Sequence, residues 1–128
     1  VDLLLDTHAL ILWFEDSDQL PAAVRLVIAH PENAVFVSAV NAWEIFTKYR
    51  LGKLSQMEAL VADFFGHMER AMFLGLPISL RHAARAGALE GAHKDPFDRM
   101  LIAQALEDDL TLVSNEAAFD KFGVKRLW

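Results

Sequence analysis

Five carboxylates stand where ligand-binding chemistry would need them: Asp6, Glu44, Asp95, Asp98 and Glu116. Asp6 ends the apolar run Val1–Leu5. Glu44 lies about two turns into the helical segment that follows a second apolar run, Ala34–Val37. Asp95 and Asp98 open the stretch Pro96–Asp108, and Glu116 lies just beyond Leu110–Val113. Carboxylates brought together repel one another, so they either stay protonated or share a cation. Oxygen donors of this hardness suit Mg²⁺ or Mn²⁺. Such a site lowers the pKa of a bound water and stabilises charge on a phosphoryl oxygen.

Each carboxylate also has a plainer reading. Asp6 is placed to cap a helix starting at Thr7. Asp95-Pro96 reads as an N-cap followed by proline at the first helical position, and Asp98 then completes a variant capping box. Glu116 complements the positive end of a helix dipole. Glu44 is the hardest to explain this way, because Trp43, Ile45 and Phe46 crowd it with apolar surface. A half-buried carboxylate needs a partner, and a metal or Lys48, one helical turn on, would serve. Spacing alone leaves the shared metal site and the structural roles both open.

Positioning these residues requires alternating strands and helices. Val1–Leu5 predicts a strand and Thr7–Glu15 a helix with Ala9, Leu12 and Trp13 on one face. Pro21 opens a second helix through Ala29, and Ala34–Val37 is a buried strand. Ser38 caps a helix to about Tyr49, stopped by Gly52. Ser55 begins a long helix to about Phe73, with Met57, Leu60, Val61, Phe64, Phe65, Met68 and Met72 as one stripe. Leu76–Ser79 reads as a strand that Pro77 confines to an edge. Leu80–Ala88 and Pro96–Asp108 are helical, Leu110–Val113 is a strand, Asn115–Phe122 a short helix and Val124–Leu127 a last strand. Strands separated by helices imply a mostly parallel sheet covered on both faces, with ligands bound outside the carboxyl ends of the strands.

Composition narrows the class. The chain has 128 residues, of which 54% are apolar and 23% charged, enough apolar material for one folded domain and too much for a disordered tail. It contains no cysteine, which excludes disulfides, thiolate metal sites and a cysteine nucleophile, and a reducing cytoplasm is the expected setting. Twelve basic against 18 acidic residues give a net charge of −6, without the global positive field of a tight duplex-DNA binder. No apolar run approaches membrane-spanning length, and the first residues carry no basic targeting region. Residue 1 is Val rather than Met, so the encoded chain is expected to begin earlier. The five histidines are scattered without a ligand pair at helical spacing, which disfavours zinc.

Four stretches resemble one family. Leu3-Leu4-Leu5-Asp6-Thr7-His8 resembles the opening motif of PIN domains. Ser38-Ala39-Val40-Asn41-Ala42-Trp43-Glu44-Ile45, followed by Lys48, Gly52, Lys53 and Leu54, resembles their second motif. His93-Lys94-Asp95-Pro96-Phe97-Asp98-Arg99-Met100-Leu101-Ile102-Ala103-Gln104-Ala105 is similar to the third, in the form typical of VapC-type toxins. Leu112-Val113-Ser114-Asn115-Glu116, with Phe119 and Gly123, resembles the fourth. The four occur in order across essentially the whole chain.

The resemblance implies a three-layer α/β/α PIN-like fold over residues 1–128 and a metal-dependent endoribonuclease. It implies an acidic quartet, Asp6, Glu44, Asp98 and Glu116, holding Mg²⁺ or Mn²⁺, with Asp95 as a further contributor ranked below Asp98. The family usually has aspartate at the fourth position. Glu116 keeps the charge on a longer arm. Ser114 stands where the family carries a hydroxyl that hydrogen-bonds a carboxylate or a bound water. The implied reaction is attack of a metal-activated water on an RNA phosphodiester, leaving a 5′-phosphate and a 3′-hydroxyl.

Lys48, Arg50, Lys53, Lys94 and Arg99 would form a basic rim for RNA around this acidic centre, with Arg99 singled out because it adjoins Asp98. A solvated surface, or for Arg99 a structural salt bridge, is the plainer reading. The resemblance further implies an antitoxin partner, a homodimer, and transfer RNA as the family-level substrate. The Met57, Met68 and Met72 stripe with Phe64, Phe65 and Phe73 would suit a binding surface, although most of it reads as core. Two rivals come from other classes. A receiver-like signalling domain would need paired acids after the first strand and a lysine after a late one, and here Asp6 stands alone and Ser114-Asn115-Glu116 lacks lysine. A non-catalytic module would use the carboxylates only to cap helices and pair with Lys48 and Arg99. A third reading keeps the fold and makes the chain a PIN-type nuclease for DNA or general RNA processing.

Overall fold

The computed structural model covers residues 1–128. Five strands, β1 (Asp2–Leu5), β2 (Ala34–Ser38), β3 (Leu74–Leu76), β4 (Thr111–Val113) and β5 (Arg126–Leu127), form one sheet in the order β3-β2-β1-β4-β5. Every pairing is parallel. The helices are α1 (Thr7–Phe14), α2 (Ala22–Ala29), α3 (Ala39–Arg50), α4 (Glu58–Ala62), α5 (Phe64–Arg70), α6 (Leu80–Ala88) and α7 (Pro96–Glu107).

The central strand explains the layering. Leu3, Leu4 and Leu5 are all buried, as a strand covered on both faces requires. Leu3 and Leu5 join Val35, Val37 and Val113 in a core with residues of α1, α2, α4 and α5. Leu4 and Leu112 face the other way, into a core built with Val40, Leu101, Ile102 and Phe119. The period of two along the strand thus divides one apolar run between two helical layers, giving a three-layer α/β/α sandwich. No helix is long and apolar enough to cross a membrane.

The chain winds outward from β1 to β2 and β3 on one side, then returns to place β4 and β5 on the other. The winding reverses between β1 and β4, whose carboxyl ends therefore bound a crevice.

Several boundaries differ from expectation. The long helix expected over Ser55–Phe73 is broken. A 3₁₀ turn (Ser55–Met57) and α4 end at Asp63, whose backbone is non-helical (φ −142°, ψ 50°), and α5 starts anew. The Asp63 carboxylate sits over Gly66 where a Cβ would lie, so the break and the glycine belong together. The stripe divides accordingly: Met57, Leu60 and Phe64 are buried, whereas Phe65 and Met72 are 80% and 83% exposed. The strand expected at Leu76–Ser79 lies two residues earlier, with Gly75 inside it opposite Val37. It is an edge strand, and Pro77 follows it. The segment after β4 is a 3₁₀ turn (Ala117–Phe122) rather than an α-helix, and β5 is only its last two expected residues.

Candidate active site

The carboxyl ends of β1, β2 and β4 and the start of α7 deliver all five carboxylates to one pocket. Asp6, Glu44, Asp95, Asp98 and Glu116 line a cavity of about 310 Å³, together with Thr7, His8, Lys48, Asn115 and Phe119. Phe119 is the one hydrophobic residue on its wall.

Local structure fixes each acid. Asp6 leaves β1 and caps α1, its Oδ1 accepting from the Ala9 amide at 2.7 Å. Capping and pocket lining, alternatives in the sequence, are both properties of this one carboxylate. It is buried, and burial pushes its pKa up to about 6 against the opposing Ser114 hydroxyl and Ala9 amide, with the Asp98 charge adding to the rise. Ser114, fully buried at the end of β4, also accepts from the Glu116 amide at 3.0 Å. One hydroxyl therefore ties the end of β1 to the end of β4.

Glu44 is buried on α3, one turn past a capping box. Ser38 accepts from the Val40 amide, and the Asn41 side chain accepts from the Ser38 amide at 2.7 Å. Asn41 Nδ2 donates to Thr7 Oγ1 at 3.1 Å, and Thr7 Oγ1 donates to Glu44 Oε1 at 2.6 Å. Lys48 Nζ donates to Glu44 Oε2 at 2.5 Å. This contact raises the lysine pKa above its ordinary value, against the cost of its burial.

Asp95 caps α7, its Oδ1 accepting from the amides of Phe97 and Asp98. Asp98, one turn in, accepts at Oδ2 from His93 Nε2 at 2.8 Å. Burial raises the Asp98 pKa, the His93 hydrogen bond opposes this, and the negative charges of Asp95 and Glu44 add to the rise. Glu116 precedes the 3₁₀ turn and is exposed.

Arg99 does not extend toward the pocket wall with its neighbour. Its guanidinium donates to the carbonyls of Ala86, Leu89 and His93, at the end of α6 and in the loop after it. Arg50, Lys53 and Lys94 are exposed and absent from the pocket lining.

The five carboxylates face one lysine, Lys48, on the wall, and two of them are held above their ordinary pKa by burial and mutual repulsion. A hard, oxygen-seeking dication is the counter-charge this donor set fits. As the side chains stand, no three of them are preassembled around one point. The reason is visible in the hydrogen bonds: both Glu44 oxygens and one Asp98 oxygen are engaged by Thr7, Lys48 and His93.

Three supporting side chains were not assigned roles from sequence. Asn41 sits three residues after a helix-capping serine, which is a readable capping-box signal. Thr7 and His93 gave no comparable signal, because their partners Glu44 and Asp98 are brought to them by the fold.

The PIN domain family model matches residues 3–125. No curated protein matches the chain by sequence. Among solved structures, VapBC2 from Rickettsia felis bound to a promoter DNA fragment superposes with a TM-score of 0.74 at 16% identity, covering 99% of this chain and 98% of that one. DNA-bound VapBC from Salmonella typhimurium gives 0.71 at 18% identity, over 99% and 97% of the two chains. FitAcB from Neisseria gonorrhoeae gives 0.69 at 20%, over 98% and 96%. At these identities the likeness is one of fold.

Proposed function

The chain belongs to the PIN-domain family, and from that premise we propose that it is a metal-dependent endoribonuclease, the toxin of a VapBC-type toxin–antitoxin pair. The observation that carries this reading is the convergence of Asp6, Glu44, Asp98 and Glu116, with Asp95, on one pocket at the carboxyl ends of a parallel sheet. Asp6, Glu44, Asp98 and Glu116 would hold Mg²⁺ or Mn²⁺, with Asp95 contributing charge from the α7 cap. The bound ion supplies charge stabilisation at the phosphate and a more acidic water.

The remaining roles fall to the chain. Ser114 orients the Asp6 carboxylate and the backbone entering Glu116. Thr7 and Asn41 hold Glu44, and Lys48, paired with Glu44, is the lysine on the pocket wall that would meet a phosphate. Hydrolysis by water needs no 2′-hydroxyl on the RNA and leaves a 5′-phosphate and a 3′-hydroxyl.

The partners belong to the same proposal. The similar solved structures include DNA-bound VapBC complexes and a toxin–antitoxin complex from Klebsiella pneumoniae. Between α3, α5 and the β3 edge runs an apolar groove of about 440 Å³, walled by Ala42, Phe65, Met68, Phe73 and Leu76. It would seat an apolar segment of an antitoxin. A homodimer, a cytoplasmic location, a single domain over residues 1–128 and transfer RNA as substrate complete the reading.

The test is cleavage of a labelled RNA by the purified chain, free of antitoxin, in Mn²⁺, in Mg²⁺ and in EDTA, beside Asp6→Asn. Cleavage that requires metal, vanishes in the variant and survives a single 2′-deoxy substitution at the cut site is the expected result. A folded chain that cleaves no RNA in any metal removes the enzyme reading and leaves the binding module.

A further inference from the structure

We propose that His93 is a positioning residue for Asp98, and that Arg99 acts through it, by pinning the loop that carries His93 rather than by contacting RNA. The proposal rests on the metal-centred reading above and names what holds one of its ligands in place.

His93 lies in the loop between α6 and α7. Its Nε2 is 2.8 Å from Asp98 Oδ2, which leaves Oδ1 as the oxygen offered to a cation. The ring has little freedom to turn away. Phe119 meets it edge-on, with centroids 5.4 Å apart at 80°, and Phe122 does the same at 6.4 Å and 89°. The loop beneath is equally constrained. Gly91 has φ +133°, and a Cβ there would lie 3.0 Å from the Phe122 ring, so the backbone lies flat against the aromatic that walls His93.

Arg99 supplies the anchor. Its Nε and one terminal nitrogen both reach the Ala86 carbonyl, at 3.2 and 3.0 Å. That terminal nitrogen also reaches the Leu89 carbonyl at 2.5 Å, and the other donates to the His93 carbonyl at 3.1 Å. A guanidinium has five N–H donors, and these contacts occupy four. What remains does not make the paired hydrogen bonds by which arginine grips a phosphate. The sequence adjacency of Arg99 and Asp98 therefore has an indirect meaning: Arg99 fixes the loop, the loop presents His93, and His93 sets the carboxylate. Outer partners of this kind typically tune metal affinity by about 10- to 100-fold.

The experiment measures Mn²⁺ affinity by isothermal titration calorimetry on the whole chain, with melting temperature in EDTA as a folding control. His93→Phe keeps an aromatic ring between Phe119 and Phe122 and removes the donor. It is expected to weaken Mn²⁺ binding about tenfold or more with a near-unchanged melting temperature. His93→Gln restores a donor and is expected to recover most of the loss. Arg99→Lys keeps the charge but not the forked donors. It should weaken Mn²⁺ like His93→Phe, while leaving the affinity for an RNA hairpin in EDTA, and its salt dependence, as in the parent. His93→Phe with parental Mn²⁺ affinity overturns the role of His93. Arg99→Lys with parental Mn²⁺ affinity but weakened, less salt-dependent RNA binding overturns the role of Arg99. A parent chain that binds no Mn²⁺ overturns the metal reading itself, and this proposal with it.

Discussion

Asp6 closes the first turn of α1 and carries the most strongly raised acid in the pocket, and the two roles pull its protonation in opposite directions. Its folded pKa, about 6, lies above the unfolded value of 3.8. The folded chain therefore holds this proton more tightly. The Asp6 contribution to stability is fully present below pH 3.8 and is lost as the pH rises through about 6. In EDTA, Asp6→Asn keeps an oxygen to cap α1 and removes the titration. Its stability advantage over the parent should be small at pH 4 and grow to the order of 3 kcal/mol by pH 7, read from urea denaturation at a series of pH values. Mn²⁺ should then reverse the order at pH 7, because an ion bound only by the folded parent adds about 4.1 kcal/mol at a thousand times its dissociation constant. Equal pH profiles for the two proteins would show that burial does not penalise this charge. At this scale the sequence displayed the acids and not their partners. Asp6, Glu44 and Asp98 stand out by type and placement, whereas Thr7 is an ordinary threonine until α3 brings Glu44 Oε1 within 2.6 Å of its hydroxyl.

Among the elements, α3 brings Glu44 and Lys48 to the pocket, and its cap and its pocket carboxylate share one network. Asn41 is fully buried, accepts from the Ser38 amide and donates to Thr7. Asn41→Ala leaves that amide without its partner and should cost about 1–3 kcal/mol of stability, measured by chemical denaturation, and should loosen Mn²⁺ binding through Glu44. A loss of stability without any change in Mn²⁺ affinity would separate the cap from the site. Elements with strong local signals were legible: Ser38 before α3, Asp95-Pro96 before α7, the unbroken leucines of β1. Where the signal was periodicity alone, it misled. The apolar stripe over Ser55–Phe73 runs at helical spacing through Asp63, but that residue leaves helical geometry and its carboxylate covers Gly66. The aspartate and the glycine three residues later were the visible sign of the break. The position of β3 was hidden for a related reason: Gly75 reads as a terminator, yet on a sheet edge beside Val37 nothing approaches where its side chain would be.

Over the whole molecule, an acidic pocket at the carboxyl end of the sheet and an apolar groove along its β3 edge are separate surfaces. Substitutions should separate them too. Phe65 is 80% exposed on the groove wall. Phe65→Ser should change the chain's own stability by no more than about 0.5 kcal/mol. On the proposed toxin reading, it should weaken a complex with a co-expressed antitoxin about tenfold or more, measured by calorimetry, and leave the proposed RNA cleavage intact. A destabilised variant would instead place Phe65 in the core. The strand order carries one more consequence, which concerns synthesis. β1 precedes the other four strands in the sequence and is the central one in the sheet, and its neighbour β4 is encoded about a hundred residues later. Pairings so distant in sequence form slowly, since the loop must close before contacts reward it. Until residue 113 emerges, β1 has one open side, and until residue 116 emerges the pocket lacks its last acid. A fragment that stops short of residue 116 therefore holds the first acids without the last, and the pocket is complete only once β4 and the residues just after it have been made.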